Sequence, residues 1–417
     1  MNLMMILRQL WNQRAANGWI LGELVVVTYF LWGVVDPVYV LLSDKALPDN
    51  YDLTDTYLLS IGAYSANHTR YNPELDSDSL KQVDFMRIVD QVRRYPGVSD
   101  VTVSFFNSYP QSGTWSGGQL FNDTIFANIQ QMTFLSGTDY FGVFRIHDAR
   151  TGEIPPVLAE GEQGIYLTPD VEKYPQNKWI HWGDSTRKSP LTAVIDPLQI
   201  RSISQPGPLV FKATSELIHL PGAARICFRV RDGLASPAFT ETFKREMRPR
   251  MQIGNYYLVS LTDFKTVSKH FEYYMGTTGT IRLQIILAAF FLLCVFLGMG
   301  GTFWLRCNSR REEMGIYMTM GSTRHRLIRQ FLLEAWWMVT IAFVIGALAQ
   351  FQIVYLNGFA FAPDDPNPDY IQNRPVLHFL IVSAISYILI LAVSFVATYI
   401  PVSKAARMNP ADALRDE

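Results

Sequence analysis

The sequence predicts an α-helical membrane protein with an α+β extracytoplasmic domain and four transmembrane helices, one before that domain and three after it. Three observations carry this. Apolar runs long enough to cross about 30 Å of hydrocarbon recur at residues 19–42, 281–305, 331–356 and 376–400. A long stretch of ordinary polar composition separates the first run from the second, in a chain whose 49% hydrophobic content is high for a soluble protein. Arg306, Arg310, Arg311, Arg324, Arg326 and Arg329 crowd in or beside the short segment between the second and third runs, and Lys/Arg excess in short loops marks the cytoplasmic side.

Residues 1–18 open the chain as an amphipathic interfacial helix, with Leu3, Ile6, Leu7 and Leu10 on one face and Arg8, Gln9, Gln13 and Arg14 elsewhere. The apolar run that follows has no small-residue cleavage site and is long enough to span, so it reads as a helix and not as a signal peptide. Glu23 and Asp36 sit near the ends of this first span, where both reach an interface, and Trp19, Trp32 and Tyr39 read as belt residues.

Residues 43–262 form the external core domain. An extended run at 54–62, a helical pattern at 77–95 with Leu80, Val83, Ile88 and Val92 inward, and an alternating run at 96–106 make one βαβ unit. Residues 224–231, 238–247 and 255–261 make a second, and together they suggest a small sheet covered by two helices. Between them, about 107–221, short strand candidates broken by Gly, Pro and Asp read as an inserted β-rich subdomain. Residues 263–280 read as a helical stalk continuous with the second span at 281–305.

The cytoplasmic loop, 306–330, carries Ile316, Met320, Leu327 and Ile328 at spacings that share a helical face, with Gly315 and Gly321 breaking the run into short pieces. A short helix held at the membrane surface is what a soluble partner can push. The third and fourth spans, 331–356 and 376–400, are joined by an external loop at 357–375 that sets Asp364, Asp365 and Asp369 against a single arginine. The tail, 401–417, adds Lys404, Arg407 and Arg415 to the inside count, so both termini are expected in the cytoplasm and the core domain outside.

Composition and motifs also exclude classes. The net charge of -1 says nothing about partners, because the basic residues are segregated near the membrane on one side, and there is no basic field for nucleic acid. Cys227, Cys294 and Cys307 supply no disulfide framework within the core domain. A Walker A loop needs a Gly-Lys pair, and the chain has none. The seven histidines lack zinc-ligand spacing, and the S-x-x-K at 185–188 lacks the companions of a serine-lysine acyl enzyme. No catalytic, cofactor-binding or metal-ligating residue is assigned, and the chain is not expected to be an enzyme by itself.

The loop sequence RREEMGIYMTMGSTRHRLIRQFLLEA resembles the R-x-E-I-G-x-x-x-A-x-G-A-(S/T) signature, ending in L-x-E, of the FtsX/MacB-like permease family of ABC transporters. Arg311, Glu313, Gly315, Gly321 and Glu334 fall on matching positions, while Met314, Met320 and Ser322 differ conservatively. In the tail, Pro401, Ala405, Ala406, Arg407, Pro410, Ala413, Leu414 and Arg415 resemble the family's closing P-x-x-x-A-A-R-x-x-P-x-x-A-L-R. YPGVSDVTVS and TDYFGVFRI are similar to the family's periplasmic core.

The resemblance implies a permease subunit driven by a separate ABC ATPase that holds the ATP and Mg, with this chain holding no cofactor. Arg311, Glu313, Gly315, Gly321, Arg324 and Glu334 would form the ATPase-coupling segment, with Glu334 snorkelling or pairing with Arg311, and Pro401, Arg407, Pro410, Leu414 and Arg415 the cytoplasmic tail motif. It further implies a second permease subunit, as homo- or heterodimer, in a bacterial inner membrane whose lipid phosphates the arginines also meet. A periplasmic adaptor and outer-membrane channel are further partners it suggests. Motion of the periplasmic domains would export a small molecule, peptide or lipoprotein; the alternative is an FtsX-like scaffold that activates a cell-wall hydrolase without transport.

Overall fold

The computed structural model describes residues 14–112, 117–122, 125–169, 179–182, 188–201, 206–217, 219–356 and 374–407. The chain divides into two compact units, one of residues 44–277 built on a sheet and one of residues 1–43 with 278–417 built of helices.

In the sheet unit, β1 (Thr56–Ala63) leads through α2 (Asp78–Arg93) to β2 (Val98–Phe105), and β9 (Ala224–Val230) leads through α4 (Pro237–Arg250) to β10 (Tyr256–Asp263). The helix α1 (Arg14–Lys45) precedes them in the chain. The strands run in the order β10-β1-β9-β2, every neighbouring pair antiparallel. β1 and β2 are therefore parallel with β9 between them, and β9 and β10 parallel with β1 between them. This is a pair of interleaved split βαβ units, the ferredoxin-like arrangement.

The two βαβ units expected from periodicity are thus present, but the inward face of α2 differs from the expected one. Phe85, Ile88, Val89 and Val92 are fully buried, whereas Leu80 and Val83 are exposed. The buried set follows the i, i+3, i+4, i+7 stripe of a 3.6-residue period. At 100° per residue Val83 falls on the side of the helix opposite Val92. The stripe packs on Tyr57, Leu59, Val101, Val103, Ile226 and Phe228 of the sheet and on Phe243 and Met247 of α4. Each fully buried aliphatic or aromatic side chain here contributes about 1.5–3 kcal/mol before entropy is counted.

Among the described residues, six strands lie between β2 and β9: β3 (Gly117–Asn122), β4 (Ile125–Leu135), β5 (Gly164–Leu167), β6 (Trp179–Trp182), β7 (Lys188–Val194) and β8 (Leu209–Thr214). They continue the same sheet, joined through a two-residue pairing of β2 with β4. The short helix α3 (Tyr140–Phe144) follows β4, and its Tyr140, Phe141 and Phe144 anchor a second aromatic core with Phe134, Tyr166 and Phe211.

Past β10, Asp263 caps α5 (Phe264–Tyr274) by accepting from Thr266 N–H at 2.8 Å. The expected continuous stalk is broken. α5 stops at Tyr274, Gly276 adopts a φ of +72°, and a new helix, α6 (Thr277–Ser309), starts beyond it. A left-handed residue after the last turn ends a helix, and glycine takes that conformation without steric cost.

Among the described residues, four helices are long and apolar enough to cross a membrane: Gly18–Lys45 of α1, Thr277–Ser309 of α6, Arg324–Leu356 (α8) and Pro375–Ala405 (α9). The short α7 (Arg311–Thr319) lies between α6 and α8. Close approach and buried hydrogen bonds hold these helices, because lipid offers little hydrophobic drive for helix association. Gly346 of α8 admits Thr28 and the Val25 carbonyl of α1 to where a Cβ would be 2.8–2.9 Å away. Tyr387 Oη of α9 accepts from Trp336 Nε1 at 2.9 Å and lies 2.9 Å from Thr340 Oγ1, both on α8.

The acidic residues of α1 depart from the interfacial reading. Asp36 is 2% exposed, with Oδ1 2.5 Å from Nε2 of His378 in α9. A carboxylate in a membrane helix is stable when paired inside the bundle. Trp32 is likewise fully buried, donating Nε1–H to Ser383 Oγ at 3.0 Å, and is no belt residue. Glu23 is half-buried, its carboxylate against Gly298 of α6.

Candidate functional site

The segment from Arg306 to Glu334 folds as the last turn of α6, the helix α7 and the first turns of α8. α7 carries Glu312 and Glu313 in its first turn, where a negative charge is favoured by the partial positive end of the helix. It closes in a Schellman turn: Gly321 N–H donates to Met318 O at 3.1 Å and Ser322 N–H to Tyr317 O at 2.9 Å. Gly321 has a φ of +88°, so this position requires glycine or a residue as tolerant. Thr323 Oγ1 then accepts from Arg326 N–H at 3.4 Å as α8 begins.

Gly315 does not break the run as expected. It lies inside α7 and is buried beside Met314, so only Gly321 acts as a helix end. The expected shared face is also split. Leu327 is buried and Ile328 half-buried on the helical core, whereas Ile316, Tyr317 and Met320 are 45%, 51% and 81% exposed. α7 turns Met314 inward because Gly321 resets the chain direction before Leu327, so one helical period does not run through both.

Glu334 anchors the segment from beneath. It is 1% exposed, with Oε1 3.5 Å from Arg310 Nη1 and Oε2 3.8 Å from Arg306 Nη1. Arg306 and Arg310 are each 7% exposed. Arg306 also places Nη2 3.7 Å from Met338 Sδ and its guanidinium 5.1 Å over the Phe303 ring. The expected Glu334–Arg311 pairing is therefore replaced by pairs from Arg306 and Arg310, one helical turn apart on α6 and at the start of α7. In the sequence these two arginines read only as topology signals; their i, i+4 spacing is the one local sign that both face one partner.

Of the remaining expected residues, Glu313, Arg324, Arg326 and Arg329 are exposed and Arg311 is half-buried. The solvent face is thus an apolar centre of Ile316, Tyr317 and Met320, with Glu312 and Glu313 at one end of α7 and the basic start of α8 beyond the other. In the tail, Pro401 lies buried inside α9 and Arg407 is exposed just past its end. Pro410, Leu414 and Arg415 lie outside the described residues.

Residues 285–410, which include this whole segment and the tail's first half, match the family FtsX-like permease C-terminal. That part of the chain, residues 285–410, is similar to the FtsX-like permeases. Among curated proteins, it is 27% identical over 207 residues to the macrolide export ATP-binding/permease protein MacB of Hahella chejuensis, covering 49% of this chain and 29% of that protein. It is 31% identical over 142 residues to MacB of Shewanella sp. strain ANA-3, covering 34% and 20%. A probable syringafactin export ATP-binding/permease protein, SyfD of Pseudomonas syringae, is 28% identical over 193 residues, covering 45% and 26%. The matched stretch of this chain therefore spans about a third of the length of such relatives.

Among solved structures, the periplasmic region of MacB from Actinobacillus actinomycetemcomitans aligns with 53% of this chain and 94% of its own, at 13% identity and a TM-score of 0.32. The extracellular domain of the ABC-type transporter YknZ from Gram-positive bacteria aligns with 49% and 100%, at 10% identity and a TM-score of 0.30.

Proposed function

We infer that this chain is the transmembrane subunit of an ABC complex of the bacterial inner membrane, and that α7 is where a separate ATPase docks. The observation that carries this is the exposed Ile316, Tyr317 and Met320 face on a helix whose opposite side is fixed by buried Glu334, Arg306 and Arg310. Exposed apolar groups rimmed by charge mark a protein contact, and a buried ionic anchor lets a push on α7 reach α6 and α8 together. ATP and Mg belong to the partner, and Glu313 and Arg324 flank the contact.

In this reading both termini and α7 face the cytoplasm and the sheet unit is extracytoplasmic. A second permease subunit completes the complex, and nucleotide-driven motion of the sheet units drives export of a small molecule, peptide or lipoprotein, with a periplasmic adaptor and outer-membrane channel as further partners. The likeness to MacB and SyfD over the shared part supports the exporter reading.

The test is a mild-detergent pulldown of the tagged chain with an ATPase assay of the eluate. Recovery of a Walker-containing subunit that hydrolyses ATP, lost on Met320→Glu substitution, is the expected result. A chain that elutes alone under conditions preserving other ABC complexes contradicts the reading.

A further inference from the structure

The helix α5 carries two faces of opposite character. Phe264 and Phe271 are buried, and Val267 packs on the same aromatic core as Phe264. On the other side Lys265, Lys269, His270, Tyr273 and Tyr274 are all exposed, and at 100° per residue they fill about half of the helix circumference. Lys265, Lys269 and Tyr273 follow one another at the four-residue spacing that aligns side chains along a helix.

The acids near this face are engaged elsewhere. Asp263 caps the helix, accepting from Thr266 N–H and from Thr266 Oγ1–H, each at 2.8 Å. Glu272, the acid within α5, has a side chain 22% exposed and bridges Lys45 Nζ at 3.2 Å. Lys265 and Lys269 form no ion pair among the described residues. Arg282, exposed near the start of α6, adds a further cation. The face is therefore basic and aromatic.

The chain fixes the level at which it lies. The span that ends at Lys45 has 28 residues, about 42 Å at 1.5 Å per residue, which matches the roughly 40–45 Å of a bilayer with its headgroups. Lys45 thus stands at headgroup level, and its bridge to Glu272 brings the last turn of α5 to that level too. From the other direction, Thr277, which opens the next span, follows Tyr274 by three residues. Tyr273 and Tyr274 are 79% and 82% exposed and Met275 is 42% exposed, so apolar bodies stand where a bilayer offers its interface. Tyrosine suits that depth, its ring toward the chains and its hydroxyl toward water. Basic residues next to a span attract anionic lipid.

We propose that the exposed face of α5 is a seat for anionic phospholipid of the outer leaflet. Lys265 and Lys269 hold headgroup phosphates, and Tyr273, Tyr274 and Met275 enter the headgroup layer. Gly276, at a φ of +72°, ends α5 at that surface before the span begins. The seat rests on the membrane reading of the four long helices and not on the docking of an ATPase.

The test places a bimane fluorophore at Tyr274→Cys in the full chain, its native cysteines replaced by serine or alanine. The chain is held in nanodiscs of phosphatidylcholine with about a third phosphatidylglycerol and a trace of phospholipid spin-labelled on its headgroup. The reference is Glu241→Cys on α4, which packs on the opposite face of the sheet from Phe264. Quenching at position 274 at least threefold stronger than at 241 is the expected result, falling at least twofold in a Lys265→Gln and Lys269→Gln background and in discs of phosphatidylcholine alone. Quenching no stronger than at 241, or indifferent both to the lysines and to phosphatidylglycerol, overturns the proposal. A bimane shielded only in discs that hold two copies also overturns it, because the face would then belong to a second copy. Leu293→Cys, exposed within α6 and read against phospholipid spin-labelled in its acyl chain, checks the membrane reading separately. Quenching there without quenching at 274 removes the seat and leaves the spans; no quenching at either removes both.

Discussion

Glu334 Oε1 of α8 lies 3.5 Å from Nη1 of Arg310, the residue that opens α7, and the same carboxylate reaches Arg306 at the end of α6. One buried acid thus ties together three helices that the sequence separates by two turns. Removing one partner of a buried ion pair leaves the other uncompensated, at a cost of about 3–5 kcal/mol. Glu334→Gln is therefore expected to lower the melting temperature of the full chain in detergent by several degrees, followed by circular dichroism. An unchanged melting temperature would show that the cluster holds nothing.

At the other end of α7, Gly321 occupies the left-handed region. A β-branched residue there costs about 1–2 kcal/mol and opens the Schellman turn, whereas asparagine tolerates it. Gly321→Val should leave the amount of protein in the membrane unchanged while abolishing stimulation of the partner ATPase; Gly321→Asn should retain most of it. Equal stimulation in the two variants would detach the turn from coupling.

At Gly346 α1 packs directly against α8, with Thr28 Cβ 2.8 Å from a would-be Cβ. Gly346→Leu should separate these helices, and the melting temperature of the full chain should fall more than for Leu348→Ala on the exposed side of α8. The reverse order would place the packing elsewhere.

Cys227 is fully buried, and burial pushes its thiol up to about 12 against a contact with Ser104 and the charge of Arg225. Only the thiolate reacts. An impermeant maleimide should leave Cys227 unlabelled in the native chain and label it after denaturation. Stoichiometric native labelling would contradict this packing.

Asp52 supplies a pH signature. Burial acts to raise its carboxyl, but hydrogen bonds from Thr54 and the charges of Arg229 and Arg145 outweigh burial and hold it below its ordinary value. A depressed folded pKa gives stability that is present above the unfolded value of about 3.9 and lost as pH falls through the folded value. The melting temperature should drop below about pH 4, and Asp52→Asn should lower it at neutral pH while flattening that acid dependence. Parallel curves for the two chains would rule Asp52 out as the source.

The long-period features were legible because each is local. Four apolar runs and two βαβ patterns need only hydropathy and spacing, as the helix after Ser77 and the strand at Val98 illustrate. What escaped depends on residues far apart in the chain. Asp36 reads as interfacial until His378, more than three hundred residues later, is brought against it. Arg306 and Arg310 read as topology signals until Glu334 closes on them, and the stalk reads as one helix because Gly276 is a single weak signal in an otherwise continuous pattern. Ile316 and Leu327 share a periodicity in sequence but not a face, since Gly321 turns the chain between them.

If α7 docks on the ATPase, Met320, 81% exposed at the end of the helix, lies at the contact. The most direct measurement is thiol cross-linking from Met320→Cys, with its native cysteines replaced by serine or alanine, in membranes containing the co-purified complex. The expected result is a cross-linked species of this chain with a Walker-containing subunit, formed from position 320 and not from Leu348→Cys on the exposed side of α8. A complex that assembles and hydrolyses ATP, yet cross-links from neither position or equally from both, would contradict it.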